Sequence, residues 1–558
     1  MCQVYRAKMY WLVIINLSLF SLVLCDDPPS RLVYLSQGPV RGYKDLDLDL
    51  FVFYGIPYAK APTGYEKFKA PLPPPVWTEP FEAVNKNIVC PQNDVLTMIS
   101  QNKIIQEDCL IANVYMPETK RKKLPVLVHF HGGAFTTGWG DIRNFINSKE
   151  IIQVSFNHRL GAHGFLCLGT KDVPGNAGMK DQVALLRWIK NNIENFGGSP
   201  DDVTLSGYNS GSSSVDLMTI SKMAQGLFKT VIVESGVSTA PFSVQIDPIK
   251  NAKRYADLLK FENVDNFYEL EFFYKNLSYT ELQSKNSLSR PDSTFLMTPC
   301  VERDVGEERF LDDNPVNIIK SGNYKKLPML YGYGEIDGQF RIPLLEHWEY
   351  WINIRFLEFL PADLQFENEI EKFRVAEEIK TLYFGDKVIG KNTMSEFVEY
   401  FTDVMFAYPT LRSAKLHVES GHNQIYLYVT SKAVYDNPAV LPINASISDQ
   451  CSKSIKVMND YREESRQYKY DVEDLKTVKD AFLETLINFI TEGEPIIPGL
   501  RKWKPVDRNW SPQLYIGKTF KLKKSLKKKK ALFWDKIYHK HYVYPSAPPA
   551  PPPENNDV

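Results

Sequence analysis

Asp202-Val203-Thr204-Leu205-Ser206-Gly207-Tyr208-Asn209-Ser210-Gly211-Ser212 is the stretch on which the reading of this chain turns. Val203 to Leu205 reads as the end of a short β-branched strand. Gly207 and Gly211 bracket a sharp turn. Ser213-Ser214-Val215-Asp216-Leu217-Met218 can continue as a helix. Strand, tight turn and helix in that order are the setting of a nucleophile elbow, where G-x-S-x-G lifts a strained serine above a sheet. Here the pattern is Gly207-Tyr208-Asn209-Ser210-Gly211, so an amide occupies the nucleophile slot.

Working outward, Leu124-Pro125-Val126-Leu127-Val128-His129-Phe130 is a continuous apolar run of the kind buried on both faces of a parallel sheet. It ends in His131-Gly132-Gly133-Ala134-Phe135, where glycines let backbone N–H groups approach a ligand oxygen. Ile151 to Phe156 is a second buried strand. A helix is expected over 180–196, with Val183, Leu186, Ile189 and Ile193 at helical spacing and Gly197-Gly198-Ser199-Pro200 as its stop. Strands follow at Lys229–Gly236, Leu327–Gly332 and Gln424–Val429, the last clear one. The second of these leads into Gly334-Glu335-Ile336-Asp337-Gly338. The Gly- and Pro-punctuated stretch 31–75 reads as an antiparallel meander. Residues 245–325 and 345–420 are helix-rich and charged, as insertions are, and a further helix is expected over 482–491. Trp503 and Trp534 mark late packing points. Strands alternating with helices imply a mostly parallel α/β sheet.

The chain has 558 residues, is 44% hydrophobic and 24% charged, and carries a formal net charge of −1. That is globular composition, and the balance gives no reason to expect a nucleic-acid partner. Residues 1–25 have a basic start at Arg6 and Lys8 and an apolar run from Trp11 to Leu24, the pattern of a secretory signal peptide. The run is shorter than the ~20 residues a membrane span needs, and no lipid-anchor tail is expected at the C-terminus. A secreted, extracellular protein is expected. Beyond that segment five cysteines remain. Cys90 and Cys109 are expected to pair, and Cys167 to be a small buried apolar residue, so that at least one thiol is left over. Asn276, Asn444 and Asn509 head N-glycosylation sequons, the last weakened by Pro512. The lysine run 521–530 reads either as a solvated charged face or as a weak polyanion site. The proline-rich tail 541–558 is expected to be extended and disordered. No cofactor and no metal site is expected.

Taken together, the blocks resemble the type-B carboxylesterase/cholinesterase family. They run in order: Phe53-Tyr54-Gly55-Ile56-Pro57-Tyr58-Ala59, Glu107-Asp108-Cys109-Leu110, His131-Gly132-Gly133-Ala134-Phe135, Asn157-His158-Arg159-Leu160-Gly161, Gly175-Asn176-Ala177-Gly178-Met179-Lys180-Asp181-Gln182, Phe196-Gly197-Gly198-Ser199-Pro200 and Glu234-Ser235-Gly236. The resemblance implies one large α/β-hydrolase domain over 26–540, a mostly parallel central sheet with helices on both faces and helical insertions. It implies a triad in the order serine, acid, histidine, with glycine-loop amides stabilising the oxyanion.

Carried over residue by residue, the oxyanion-hole positions are Gly132, Gly133 and the amide of Ser210, and the acid position is Asp337. The nucleophile slot holds Asn209. The histidine slot falls in Asn444-Ala445-Ser446-Ile447-Ser448-Asp449 and holds Ile447. None of the nine histidines lies between His422 and His539, and His417 and His422 read as solvated helix-end residues at the wrong end of a strand. Losing the serine or histidine of a worked triad costs about 10⁶ in turnover. The sequence therefore points to a secreted, catalytically inactive family member, and the resemblance to relatives that act as partner-binding ectodomains implies that it binds a protein partner. Two alternatives remain open: a carrier of a lipophilic small molecule, and a carboxylic ester hydrolase in which atypical residues, such as a shifted nucleophile at Ser210, do the work.

Overall fold

The fold is taken from a computed structural model, which describes residues 29–46, 49–92, 102–140, 150–285, 289–431, 472–497, 499 and 502–553. Three N-terminal strands, β1 (Ser30–Leu35), β2 (Gly38–Asp45) and β3 (Leu50–Pro57), form the expected meander, each antiparallel to the next. A two-residue β4 (Phe81–Glu82) lies beside β2, and the similarly short β5 (Ile88–Val89) and β6 (Ile104–Ile105) pair apart from the main sheet. Then come β7 (Ile111–Pro117), β8 (Leu124–Phe130), β9 (Ile152–Phe156), β10 (Gly198–Tyr208), β11 (Thr230–Glu234), β12 (Met329–Gly334) and β13 (Ile425–Thr430). The last two strands are β14 (Gln513–Ile516) and β15 (Phe520–Lys523).

The main sheet runs β1-β2-β3-β7-β9-β8-β10-β11-β12-β13-β14-β15. From β9 to β14 every neighbouring pair is parallel, and antiparallel strands close both ends. β8, β9 and β12 are buried along their whole length; β8 and β12 accordingly read as apolar runs, whereas β9 buries the polar Gln153 and Ser155 on one face. Helix α1 (Ala177–Asn192) covers the sheet with Val183, Leu186 and Ile189, and a 3₁₀ turn at Ile193–Phe196 completes the helix expected there. Helix α2 (Ser210–Ile220) packs on β10 and β11 with all of its residues buried. The insertions supply α3 (Ile342–Ile354), α4 (Glu369–Phe384), α5 (Met394–Thr402) and α6 (Tyr408–Glu419), with a π-helical turn at Asp403–Ala407 between the last two. Helices α7 (Val472–Glu492) and α8 (Lys528–His541) follow. Among the described residues no helix is long and apolar enough to cross a membrane.

Several expectations need correction. Cys167 is not an unpaired apolar residue: it is bonded to Cys300 across 133 residues, alongside the expected Cys90–Cys109 bond. Both cysteines are buried, and the distance between them in sequence hid the pair. His417 and His422 are buried, not solvated. His417 Nδ1 lies 2.6 Å from the Tyr324 hydroxyl. The lysine run is not a uniform solvated face. It crosses β15 and the start of α8, and its Lys527 ammonium is 2.5 Å from the buried Asp403 carboxylate, with Lys530 2.6 Å from Glu399. Gln424–Val429 is not the last strand, since β14 and β15 extend the sheet. The proline-rich tail has no regular secondary structure over 543–553, but, against the expectation of disorder, it is held on the fold as far as Pro552. Pro545 and Pro548 are buried, Val543 N–H donates to Asp363, and the Tyr268 hydroxyl donates to the Pro552 carbonyl.

Candidate active site

Four loops leave the carboxyl ends of β8, β10, β11 and β12, which are consecutive neighbours in the sheet. In open α/β sheets this is the edge where ligands bind. Each loop brings one part of the site.

At the end of β10 the chain turns through Asn209, with φ 53° and ψ −121°, and enters α2 at Ser210. That backbone conformation lies outside the regions open to ordinary L-residues and persists only where the surroundings fix it. Here the Asn209 N–H donates to Glu234 on β11, and the Asn209 carbonyl accepts from Ser213 N–H. Gly211 lets α2 begin against β8, since a Cβ there would lie 2.2 Å from the Phe130 carbonyl oxygen. The structure thus places the residue expected in the nucleophile slot at the apex of a strand–turn–helix elbow. Its side chain is engaged: the Ser210 backbone N–H donates to Asn209 Oδ1 at 2.8 Å. Ser210 N–H heads a helix and has no intrahelical acceptor, so the amide oxygen acts as its cap.

After β8, Gly133 takes φ 119°, and its carbonyl accepts from the N–H groups of Thr136 and Thr137. A Cβ at 133 would sit 1.9 Å from the Thr137 carbonyl oxygen. Before it, His131 Nδ1 donates to the Gly132 carbonyl at 2.9 Å, and the ring stacks on His158 with centroids 4.6 Å apart. Burial pushes His131 down to about 4 and His158 well below the usual histidine range, so both rings are neutral near pH 7.

After β12, Asp337 opens a 3₁₀ turn that Gly338 fastens by donating its N–H to Thr402 Oγ1. Asp337 Oδ2 accepts from the Ser235 hydroxyl and from Gly334 N–H, both at 2.7 Å. Desolvation of the carboxyl pushes its pKa up to about 6, against the two hydrogen bonds and the charge of Lys527, although the residue as a whole keeps some exposure. Among the described residues no histidine is bonded to Asp337. Ser235, itself at φ 56°, holds this carboxylate from the end of β11. The local pattern Glu234-Ser235-Gly236 gives no sign of this role for Ser235, because the partner arrives from another strand. Nor does local pattern single out Asp216, fully buried on α2, which accepts from the Tyr331 hydroxyl and from Ser238 N–H.

Ile447 and the sequon at Asn444 lie outside the described residues. Asn276 and Asn509 are exposed, Asn276 at the end of a helix and Asn509 in a turn before Ser511-Pro512. The described site comprises a carboxylate held by a serine, the glycine loop and an amide side chain turned onto its own helix. It offers no hydroxyl at the elbow apex to attack a carbonyl carbon.

Comparison with known proteins bears on the family and the fold. A model of the carboxylesterase family matches residues 29–534. The chain is 32% identical to juvenile hormone esterase of Heliothis virescens over 72% of its own length and 74% of that protein. It is 30% identical to esterase FE4 of Myzus persicae over 89% and 91%. The crystal structure of juvenile hormone esterase from Manduca sexta, with OTFP covalently attached, superposes with a TM-score of 0.78 at 26% identity, covering 92% of this chain and all of that one.

Proposed function

Since the chain belongs to the carboxylesterase family, we propose that it is a secreted member that has kept the hydrolase scaffold and given up ester cleavage, acting by binding a protein partner. The observation that carries the proposal is the elbow. Asn209 has no hydroxyl to deprotonate, and its side-chain oxygen takes the Ser210 N–H that a tetrahedral oxyanion would need. The signal-peptide pattern of residues 1–25 supports secretion. Exposed apolar side chains support a protein partner: Tyr350 and Ile354 lie one turn apart on α3, and Ile370 and Phe373 likewise on α4.

A second reading, a carboxylic ester hydrolase with atypical residues, draws on the esterases among its relatives. Purified protein is assayed on a short p-nitrophenyl ester to separate them. Turnover at background supports the binding reading. Turnover of ordinary enzyme size, about 1–10³ per second, that survives Asn209→Ala and disappears in Ser210→Ala would establish the hydrolase reading instead.

A further inference from the structure

The elbow places Asn209 in the geometry that closes a five-membered imide, and we propose that Asn209 is a site of spontaneous, fold-promoted deamidation. The chemistry needs the backbone nitrogen of the following residue to reach the asparagine side-chain carbonyl carbon. At ψ −121° the Cβ of an L-residue nearly eclipses the next backbone nitrogen about the Cα–C bond. Ordinary strand or helix backbone holds the two apart. Ser210 N is 2.8 Å from Oδ1, so the carbon bearing that oxygen is within reach. In most proteins an asparagine must be distorted out of an allowed region to react. Here the sheet and α2 have already fixed the reactive conformation, which removes an entropic part of the barrier. Ser210 N–H is also free of the helix ladder, so no intrahelical hydrogen bond has to break.

The step balances as follows. Ser210 N loses its proton to a base in solvent, and its electron pair bonds to Asn209 Cγ. The tetrahedral adduct expels the side-chain nitrogen, which leaves as ammonia after taking up a proton. Water then adds to one of the two imide carbonyls. Opening of the bond from Cγ to nitrogen gives aspartate at 209, and opening of the main-chain bond gives isoaspartate. Overall, one water enters and one ammonia leaves. Asn209 keeps 8% of its surface exposed, which gives water an approach. The aspartate product sits at the N-terminus of an eleven-residue helix, where the dipole stabilises a negative charge.

Asn147-Ser148 and Asn286-Ser287 have the same following residue and serve as internal references. The full chain is incubated at mildly alkaline pH in ¹⁸O-water, once native and once unfolded in guanidinium, and each asparagine is followed by peptide mass spectrometry. The expected result is label at residue 209 appearing several-fold faster in the native protein than in the unfolded one, with all three sites converting at similar rates once unfolded. Asn209→Gln, which would need a six-membered ring, should lose the native conversion. The comparison of native with unfolded wild type does not depend on that variant folding. A native rate at 209 equal to or below its unfolded rate overturns the proposal.

Discussion

Asn209 Oδ1 accepts the Ser210 backbone N–H at 2.8 Å, so the residue in the nucleophile slot caps the helix that follows it. An N-cap hydrogen bond contributes about 0.5–2 kcal/mol. Asn209→Ala keeps the strained backbone and loses the cap. It should lower stability by about 1 kcal/mol in denaturant titration, whereas Asn209→Asp, which retains an acceptor, should stay close to wild type. Equal loss in both would mean that the cap contributes nothing.

Acid should destabilise the fold. Burial pushes His129, His163, His417 and His422 down to about 3 and His131 to about 4. Between those values and about 6.5 the unfolded chain binds protons that the folded one refuses, so stability falls as pH falls through that window. Asp337 and Asp363, both pushed up to about 6 by burial, work in the opposite sense between about 4 and 6 but are fewer. His417→Gln should flatten the dependence of unfolding free energy on pH by up to about 1.4 kcal/mol per pH unit below pH 6. An unchanged slope would show that His417 does not titrate between the two states.

The Cys167–Cys300 bond closes a loop far longer than that of Cys90–Cys109. Chain-entropy reasoning assigns about 4–5 kcal/mol to the long loop and ~3 kcal/mol to the short one. Cys300→Ser should therefore lower the melting temperature more than Cys109→Ser. Peptide mapping without reduction should recover both pairs, and recovery of Cys167 as a free thiol would refute the long one.

Lys527 joins α8 to the π-helical turn through Asp403, which also accepts from the Tyr383 hydroxyl. Removing one partner of a buried pair leaves the other charge unpaired and costs ~3–5 kcal/mol. Lys527 keeps some exposure and Lys530 stays 3.7 Å from Asp403, so Lys527→Ala should fall short of that cost, while Lys529→Ala, at an exposed position, should be nearly neutral. Comparable effects would show that the Lys527–Asp403 contact contributes nothing.

What the sequence made legible was what local pattern controls. A continuous apolar run gave β8, and the two glycines gave the elbow. What stayed hidden depended on contacts far apart in the chain. Cys167 reads as apolar until Cys300 is brought to it. The polar look of Lys527 conceals a partner 124 residues away. His417 looks solvated until Tyr324 covers it. Within the site, the position of Asn209 was readable from spacing. The bond from its side chain to Ser210 was not, because that bond depends on the strained backbone of the turn. Ser235 went unassigned for a similar reason: its partner Asp337 arrives from another strand.

The last prediction concerns what would restore turnover. In the reading proposed here two parts are missing, so one reversion should not suffice. Asn209→Ser puts a hydroxyl at the elbow and removes the amide oxygen from Ser210 N–H, yet a hydroxyl is a weak nucleophile without an adjacent base. Ile447→His, at the family's histidine slot, would supply a base with nothing to activate. Triad members act as a unit, so their effects are far from additive. Both single variants should stay near background on a short p-nitrophenyl ester. Asn209→Ser with Ile447→His should rise above both, with Asp337 as the acid and the Gly132 and Gly133 amides facing the oxyanion. Ser235 now occupies Asp337 Oδ2 and would compete with the new histidine, so adding Ser235→Ala should raise the turnover of the double variant further. Substantial turnover in Asn209→Ser alone would show that a base already stands beside the elbow, and the binding reading would lose its main support.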